Sequence, residues 1–297
     1  MTGAEAGFLL LTSSLGDPDR KVLTTAQLRI LSGRVKMAQK REEHRDLQMQ
    51  DLIDLGYGRE MAAHILQLLE EEQRMLHYCQ KAKKNHCQPL TWVSEGYPQR
   101  LKQQLREETP GCIWYKGDIS LLSQPKVALV GSRDLRDSNG RFAREVGIQA
   151  AQQGSVLISG TARGADQTAQ NACLQAGGRV ICVVADGLLD KPLRENVLYL
   201  SEDGFDLPFT AQRAISRNRL IHALAEMTFV AQSSLRRGGT WDGTAKNLRY
   251  GWSPVYVFAD GSAAMEELEQ MGAEPIAQAQ LQDFGALPRP LPGLIEE

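Results

Sequence analysis

The middle of the chain alternates short apolar runs with longer segments in which apolar residues recur every three or four positions. Residues 127–130 and 156–158 are apolar runs with β-branched side chains and a glycine soon after, which predicts strands buried on both faces of a parallel sheet. Between them, Phe142, Val146 and Ala150 recur at helical spacing within residues 140–153. Strand, glycine turn, helix and strand within about 35 residues predict a right-handed βαβ unit.

The same alternation extends on both sides of this unit. It predicts further strands at 113–118, 179–184, 228–231 and 255–258. It also predicts helices at 165–176, from Ser216 onwards, after the glycine-rich turn 236–244, and at 266–271. Strands and helices in this order are typical of α/β proteins, in which helices cover both faces of a parallel sheet.

The N-terminal part of the chain has helical patterns instead. Thr24 or Thr25 can cap a helix with an apolar face, residues 36–50 are mostly polar, and 70–84 continue as a polar helix. A helix–hairpin–helix pattern is formed by Leu52, Leu55, Gly56, Gly58, Ala62 and Ile65. Two interpretations of the turn at 56–58 stay open: its backbone N–H groups hold a DNA phosphate, or it simply joins two packed helices.

Composition narrows the class of protein. A formal net charge of −2 means that any nucleic-acid surface must be a local concentration of Arg and Lys. The start of the chain lacks a signal-peptide pattern, no apolar run reaches membrane-spanning length, and five scattered cysteines suit a reduced compartment, so we expect a cytoplasmic protein without a membrane. We expect no metal site, because His77, Cys79, His86 and Cys87 lack zinc-site spacing.

Glycines and arginines follow the predicted strands. Because parallel strands end at one edge of a sheet, the turns at 131–133 and 160–164 should meet there, beside helix N-termini that favour anions. The spacing is not Gly-x-Gly-x-x-Gly and no acidic residue follows in the ribose position, which argues against an ordinary dinucleotide site. A ligand that carries phosphate is the natural inference.

Three motifs carry a resemblance to a known family. Val-Gly-Ser-Arg (130–133), Ser-Gly-Thr-Ala-Arg-Gly-Ala-Asp (159–166) and Ser-Arg-Asn-Arg-Leu-Ile (216–221) resemble those of the DNA-processing protein A family, also called Smf or DprA. The resemblance runs from about residue 51 to 258 and implies a further strand at 197–202. It implies an extended Rossmann-like fold, binding of single-stranded DNA, and help in loading a RecA-type recombinase during uptake and recombination of DNA.

The resemblance also sets expectations for the organisation of the chain. We expect a small helical domain at residues 1–88, a Rossmann-like domain at 89–284 and an extended, proline-containing tail at 285–297. The winged helix that many family members carry at the C-terminus is not evident, which suggests a divergent subgroup. Expected partners are single-stranded DNA and a RecA-type recombinase; a homodimer is left open, and no cofactor is expected.

The expected DNA-binding or phosphate-binding residues are the glycines, hydroxyl residues, arginines and one asparagine of the predicted turns: Gly131, Ser132, Arg133, Ser159, Gly160, Thr161, Arg163, Gly164, Arg217, Asn218, Arg219, Gly238, Gly239, Thr240 and Thr244. Asp166 is expected to be structural, either as a cap or as a partner of Arg163. The structural alternatives are that Arg163 pairs with Asp166, that Arg217 pairs with a local carboxylate, and that Asn218 caps its helix.

Two departures from the family pattern leave the ligand open. Gln170 stands where the family usually has histidine, and the segment 238–244 looks like the Gly-Gly-x-Gly-Thr loop of the related nucleotide phosphoribohydrolases. The catalytic glutamate of those enzymes is not evident near Asn247 and Leu248, and His222 has the pattern of a packed or surface residue. We therefore expect a DNA-binding protein without turnover. The alternatives are a binder or hydrolase of a nucleotide-derived small molecule, and a protein-interaction scaffold.

Overall fold

Two units account for the described part of the chain. The computed structural model describes residues 1–38, 47–202 and 204–288. The first unit comprises Met1–Tyr97, Glu107–Trp114 and Glu202–Leu207, and the second comprises Pro98–Arg106, Tyr115–Ser201 and the chain from Pro208 onwards. Among these residues, no helix is both long and apolar enough to cross a membrane.

The first unit is mainly helical. Its core contains Leu28, Leu31, Leu52, Ala62 and Ile65, which the apolar spacing of the sequence places on the inner helix faces. The turn between the third and fourth helices contains Gly56 in a left-handed conformation (φ +85°). The elements are α1 (Gly3–Thr12), α2 (Thr25–Ala38), α3 (Met49–Asp54), α4 (Arg59–Leu69), α5 (Glu72–Lys84) and β1 (Gln88–Thr91).

The second unit is built on a parallel sheet. Strand β2 (Cys112–Gly117) passes from the first unit into the second and is followed in the chain by seven short, buried strands. Their spatial order is β6-β5-β4-β3-β7-β8-β9, and all six pairings in this row are parallel. The strands are β3 (Lys126–Val130), β4 (Val156–Ser159), β5 (Val180–Val183), β6 (Val197–Ser201), β7 (Met227–Val230), β8 (Val255–Phe258) and β9 (Glu274–Ile276).

Helices lie on both sides of this sheet. Their apolar residues cover the buried strands; Phe142 and Val146, for example, are fully buried. The helices are α6 (Gln99–Leu105), α7 (Asp137–Gln152), α8 (Ala165–Gln175), α9 (Ala211–Ser216), α10 (Asn218–Leu224), α11 (Gly238–Tyr250) and α12 (Ala263–Gln270). Short 3-10 helices occur at Arg106–Glu108, Ile119–Ser123, Gln278–Gln282 and Phe284–Ala286.

The predicted α/β fold is confirmed, and the strands expected between 113 and 258 all form within two residues of their predicted ends. Two short strands, β1 and β9, and the separate helix α9 were not predicted, because three to six residues carry too little periodicity. The helix expected from Ser216 is instead α10, which begins at Asn218.

The predicted domain boundaries stay a prediction. The described residues do not include 39–46, which belong to the polar stretch 36–50. They also do not include 289–297, which make up most of the predicted tail. At the start of that tail, Phe284–Ala286 forms a 3-10 helix and Leu287 is buried.

Candidate anion-binding site

The sheet reverses its direction of winding at β3. Val127 of this strand pairs with Leu157 of β4 on one side and with Met227 of β7 on the other, although β7 comes about a hundred residues later in the chain. Chains leaving two such strands turn away from each other and leave a crevice at the carboxyl edge of the sheet, where ligands of open α/β sheets bind. The Ser132 amide donates to the Gln232 carbonyl across this edge, with 2.9 Å between N and O.

A cavity of about 620 Å³ occupies this crevice. Its walls come from the turns after β3 and β7, from the start of α8, and from α9, α10 and the start of α11. The lining residues are Val130, Gly131, Ser132, Arg133, Asp134, Ala162, Asp166, Phe209, Ala211, Ala214, Ile215, Arg217, Asn218, Ile221, His222, Gln232, Ser234, Arg237, Gly238, Gly239 and Thr240. We call this cavity the switch-point pocket.

One wall of the switch-point pocket suits an anion. Helix α11 has 13 residues and begins at Gly238, so its first backbone N–H groups and the positive end of its dipole lie at the pocket. Arg133 and Arg237, both exposed, add formal positive charge to the rim. The Asn218 side chain donates from Nδ2 to the Gly239 carbonyl over 2.9 Å, which joins the start of α10 to the start of α11.

Two buried residues of opposite charge line the pocket. Asp166 and Arg217 are only 6% and 8% exposed. Their charged groups both lie beside Gly160 without a direct hydrogen bond between them, and a β-carbon there would collide with both Nη atoms of Arg217 and with Oδ2 of Asp166. A residue with a side chain at position 160 would therefore displace the pair.

The protein backbone holds this pair on both sides. Arg217 donates from Nη1 to the Val183 carbonyl at the end of β5 over 2.9 Å, and the Ala162 amide donates to Asp166 Oδ2 over 3.2 Å. Burial raises the pKa of the Asp166 carboxyl to about 6, although the positive charges of Arg217 and Arg133 and the Ala162 hydrogen bond act in the opposite direction. Burial lowers the pKa of Arg217, and the nearby Asp166 opposes that effect.

Another part of the pocket wall is apolar. Phe209 and Ile215 line the pocket and are 56% and 48% exposed, which is unusual for large apolar side chains. Ala211, Ala214 and Ile221 continue this surface. The pocket thus combines positively charged and apolar lining residues.

His222 lies among the lining residues and is 1% exposed. Asn247 Nδ2 lies 3.2 Å from His222 Nδ1, and Asn247 Oδ1 accepts a hydrogen bond from the Ser253 amide over 2.9 Å. The second bond orients the amide so that Nδ2 donates to Nδ1, which leaves the ring proton on Nε2. Burial and the nearby Arg217 lower the pKa of His222 to about 3, so the ring is neutral.

Nine of the sixteen residues singled out in the sequence line the pocket: Gly131, Ser132, Arg133, Asp166, Arg217, Asn218, Gly238, Gly239 and Thr240. The other seven, Ser159, Gly160, Thr161, Arg163, Gly164, Arg219 and Thr244, do not. Ser159 and Thr244 are fully buried, so their hydroxyl groups do not reach the pocket surface. Arg163 is exposed outside the pocket, and Arg219 donates to the carbonyl and hydroxyl of Ser216.

Two structural interpretations from the sequence need correction. Asp166 does not fix Arg163; its carboxylate faces Arg217, because the loop after β4 turns Arg163 towards solvent. Asn218 does not cap its own helix, since its side-chain amide bonds to Gly239 of α11 instead. The expectation that Arg217 pairs with a local carboxylate stays a prediction: Asp166 interacts with Arg217 electrostatically, while the hydrogen bond of Arg217 goes to the Val183 carbonyl.

Sequence reasoning missed the apolar wall and the role of His222 in the lining. Phe209 and Ile215 stand in a loop and a six-residue helix without a recognisable motif, so no local signal points to them. His222 comes directly after the Ser-Arg-Asn-Arg-Leu-Ile motif, and this position in the sequence could have indicated that it lies near the site.

Comparisons with known proteins agree with the motifs. The model of a protein family described as DNA recombination-mediator protein A matches residues 88–283. The DNA processing protein DprA of Streptococcus pneumoniae is 35% identical over 156 residues, which cover 49% of this chain and 54% of that protein. Protein Smf of Escherichia coli K12 is 31% identical over 156 residues, covering 49% and 41%. The matched region therefore spans about half the length of these curated relatives.

Solved structures show the same fold. The X-ray structure of DNA processing protein A from Streptococcus pneumoniae superposes with a TM-score of 0.73 and 25% identity, covering 95% of this chain and 97% of that one. A structure that describes the single-stranded DNA binding mode of DNA processing protein A from Helicobacter pylori has a TM-score of 0.53 and 23% identity, covering 64% and 90%.

Proposed function

Because this chain belongs to the DNA recombination-mediator protein A family, we propose that it binds single-stranded DNA at the switch-point pocket. The observation that carries the proposal is the convergence of Arg133, Arg217 and the N-terminus of α11 on one cavity. Arginine side chains and free helix N–H groups are the donors that proteins use for phosphate oxygens. In a chain with a formal net charge of −2, such a local concentration of donors supports binding of a polyanion at this place.

The apolar wall supports a preference for single strands. Exposed bases of single-stranded DNA gain free energy by contact with aromatic and apolar side chains, and Phe209 and Ile215 offer such contacts beside the charged wall. In a duplex the bases are paired and stacked inside, so they are not free to make these contacts. The DNA processing protein A of Helicobacter pylori, which has the same fold, binds single-stranded DNA, and this supports the proposal.

Binding without catalytic turnover is the second part of the proposal. The hydroxyl nearest to His222 Nδ1 is that of Thr228, at 3.3 Å, and Thr228 is fully buried and also bonded to Ser253. This buried arrangement offers no accessible nucleophile beside the imidazole. We further propose that the bound DNA is passed to a RecA-type recombinase in the cytoplasm, an extension that rests on family membership. If two copies of the chain form a homodimer, one DNA strand can contact a pocket in each copy.

Titration of the full chain with oligonucleotides tests this function. Single-stranded DNA should bind more tightly than duplex of the same length, and nucleoside monophosphates should bind weakly and release no free base. Gly160→Ala should abolish most of the DNA affinity, because its β-carbon displaces Arg217 and Asp166. Gly140→Ala, in α7, is the matched control. Its β-carbon would meet only Leu135 Cδ1, at 4.0 Å, and alanine stabilises a helix by about 0.5–1 kcal/mol relative to glycine.

Equal or stronger binding of duplex would contradict the single-strand preference. Tight nucleotide binding with release of base would instead favour a hydrolase of nucleotide-derived small molecules. If DNA affinity is the same in Gly160→Ala and Gly140→Ala, the switch-point pocket is not where DNA binds.

A further inference from the structure

The carboxylate of Asp166 lies near Arg217 before any ligand binds. The Arg217 guanidinium and this carboxylate both lie beside Gly160 and interact electrostatically, and both residues line the cavity. Building on the proposed function, we propose that Asp166 is a proton-controlled counterion of Arg217, so that phosphate binding in the switch-point pocket is coupled to uptake of a proton by Asp166. The carboxylate and the ligand phosphate then compete for one guanidinium.

The hydrogen bonds of Arg217 leave room for a ligand. Nη1 donates to the Val183 carbonyl, whereas Nε is buried and has no hydrogen-bond partner among the described residues. Nε is too deeply buried for a ligand to reach, but Nη2 makes no hydrogen bond to a described residue, so a phosphate oxygen can accept from Nη2. Arg217 therefore has donor capacity for a phosphate, while its charge is offset by Asp166.

The charged groups around the pair are few and can be named. Asp166 faces Arg217 and Arg133, with the Cys182 thiol of β5 also nearby. Arg217 faces Asp166, Asp186, Cys182 and Arg133 from the neighbouring elements. His222, on α10, is near Arg217 but stays neutral, because its pKa is lowered to about 3. Asp166 is thus the group in this cluster whose charge changes close to neutral pH.

The direction of the coupling follows from electrostatics. In the free protein the pKa of Asp166 is about 6, with burial raising it and Arg217 holding it down. A phosphate on Arg217 adds a negative charge and withdraws part of the attraction that keeps Asp166 ionised, so the pKa of Asp166 rises further on binding. Over the pH range between the free and bound pKa values, binding therefore takes up a proton.

The pH dependence of affinity has a defined shape. Below about pH 6 Asp166 is protonated in both states, and the affinity should be level. As the pH rises above about 6, affinity should fall, with a limit of about tenfold per pH unit for one proton. It should level again once the pH exceeds the pKa of Asp166 in the complex.

The experiment uses an oligothymidylate, whose phosphodiesters and bases keep their charge over the range studied. Affinity is measured between about pH 5.5 and about pH 8, and proton uptake is measured by calorimetry at about pH 7 in two buffers of different ionisation enthalpy. The wild-type chain should show both the loss of affinity and uptake of a fraction of a proton. Asp166→Asn should bind with little pH dependence and, at about pH 8, several-fold more tightly than wild type.

Asp134→Asn is the matched control, because Asp134 is an exposed acid on the rim of the same pocket. It should keep the pH profile and the proton uptake of wild type. The other four histidines lie between residues 44 and 86 of the sequence, and the Asp166→Asn profile separates their titration from that of Asp166.

Two results overturn the coupling alone: wild-type DNA binding without proton uptake, or a pH profile that Asp166→Asn retains. Absence of proton uptake by the wild-type chain overturns the coupling even if Asp166→Asn fails to fold. Absence of DNA binding at every pH refutes the proposed function itself, and the coupling with it.

Discussion

Gln170 donates a hydrogen bond from Nε2 to the hydroxyl of Ser159 over 2.6 Å. The same nitrogen also donates to the carbonyl of Gly160. Gln170 belongs to α8 and Ser159 ends β4, so this contact attaches the helix to the turn against which Arg217 and Asp166 pack. The family resemblance implies histidine at this position, and here the amide of Gln170 supplies the N–H donor that the turn needs.

We predict that Gln170→Leu weakens both the fold and DNA binding. Leucine leaves the buried Ser159 hydroxyl and Gly160 carbonyl without their donor, which should lower the free energy of unfolding by about 1–3 kcal/mol. The displaced turn should also reduce DNA affinity. Gln170→His, which keeps a ring N–H donor, should recover a part of both quantities in urea denaturation and oligonucleotide titration.

The comparison of these two variants separates donor chemistry from size. If Gln170→Leu is as stable as wild type, or if Gln170→His is no better than Gln170→Leu, the hydrogen bonds of Gln170 do not hold the turn.

Arg133→Ala should weaken DNA binding without unfolding the protein. Arg133 is exposed at the rim of the pocket, so its loss should remove one phosphate contact and reduce the slope of log affinity against log salt by roughly 0.7. Because the side chain is exposed, the melting temperature should change little. The measurement is a series of oligonucleotide titrations at increasing salt, together with a thermal melt.

Arg163→Ala is the control for this prediction, since Arg163 is also exposed and follows a neighbouring strand but does not line the pocket. Its salt slope should stay closer to that of wild type. A loss of slope in Arg163→Ala equal to that in Arg133→Ala would mean that the DNA path extends beyond the pocket to the loop after β4.

His222 should make the second unit sensitive to acid. Its pKa is lowered to about 3 in the folded protein, compared with an ordinary value of 6.5. The stability gained from the neutral ring is therefore complete above pH 6.5 and is lost as the pH falls towards 3. Between about pH 7 and about pH 4, wild type should lose about 3 kcal/mol more unfolding free energy than His222→Gln.

Urea denaturation at each pH measures this difference. Asp166, whose raised pKa acts in the opposite direction, is present in both proteins and cancels in the comparison. His77→Gln, on an exposed position of α5, is the matched control and should follow wild type. Parallel pH curves for wild type and His222→Gln would show that His222 is not buried as a neutral ring.

Most strands and helices of the second unit, and the motifs at their ends, were predictable from the sequence. Residues 126–130 and 156–159 form strands because a run of apolar, β-branched residues has few other stable positions than the middle of a sheet. The glycines and arginines after those strands could be placed at one edge, because parallel strands all end on the same side. These are local or topological rules, and a single sequence is enough to apply them.

Tertiary structure decided which of those residues share a pocket. Strand β7 pairs with β3 rather than with β6, its predecessor in the chain, and this long-range pairing brings Gln232 and the start of α11 to Ser132. Side-chain packing then turned Arg217 inwards to Asp166 and left Arg163 in solvent, although both arginines belong to similar glycine-containing or helix-start motifs. Burial and charge pairing depend on neighbours far away in the chain, so no local pattern distinguishes the two arginines.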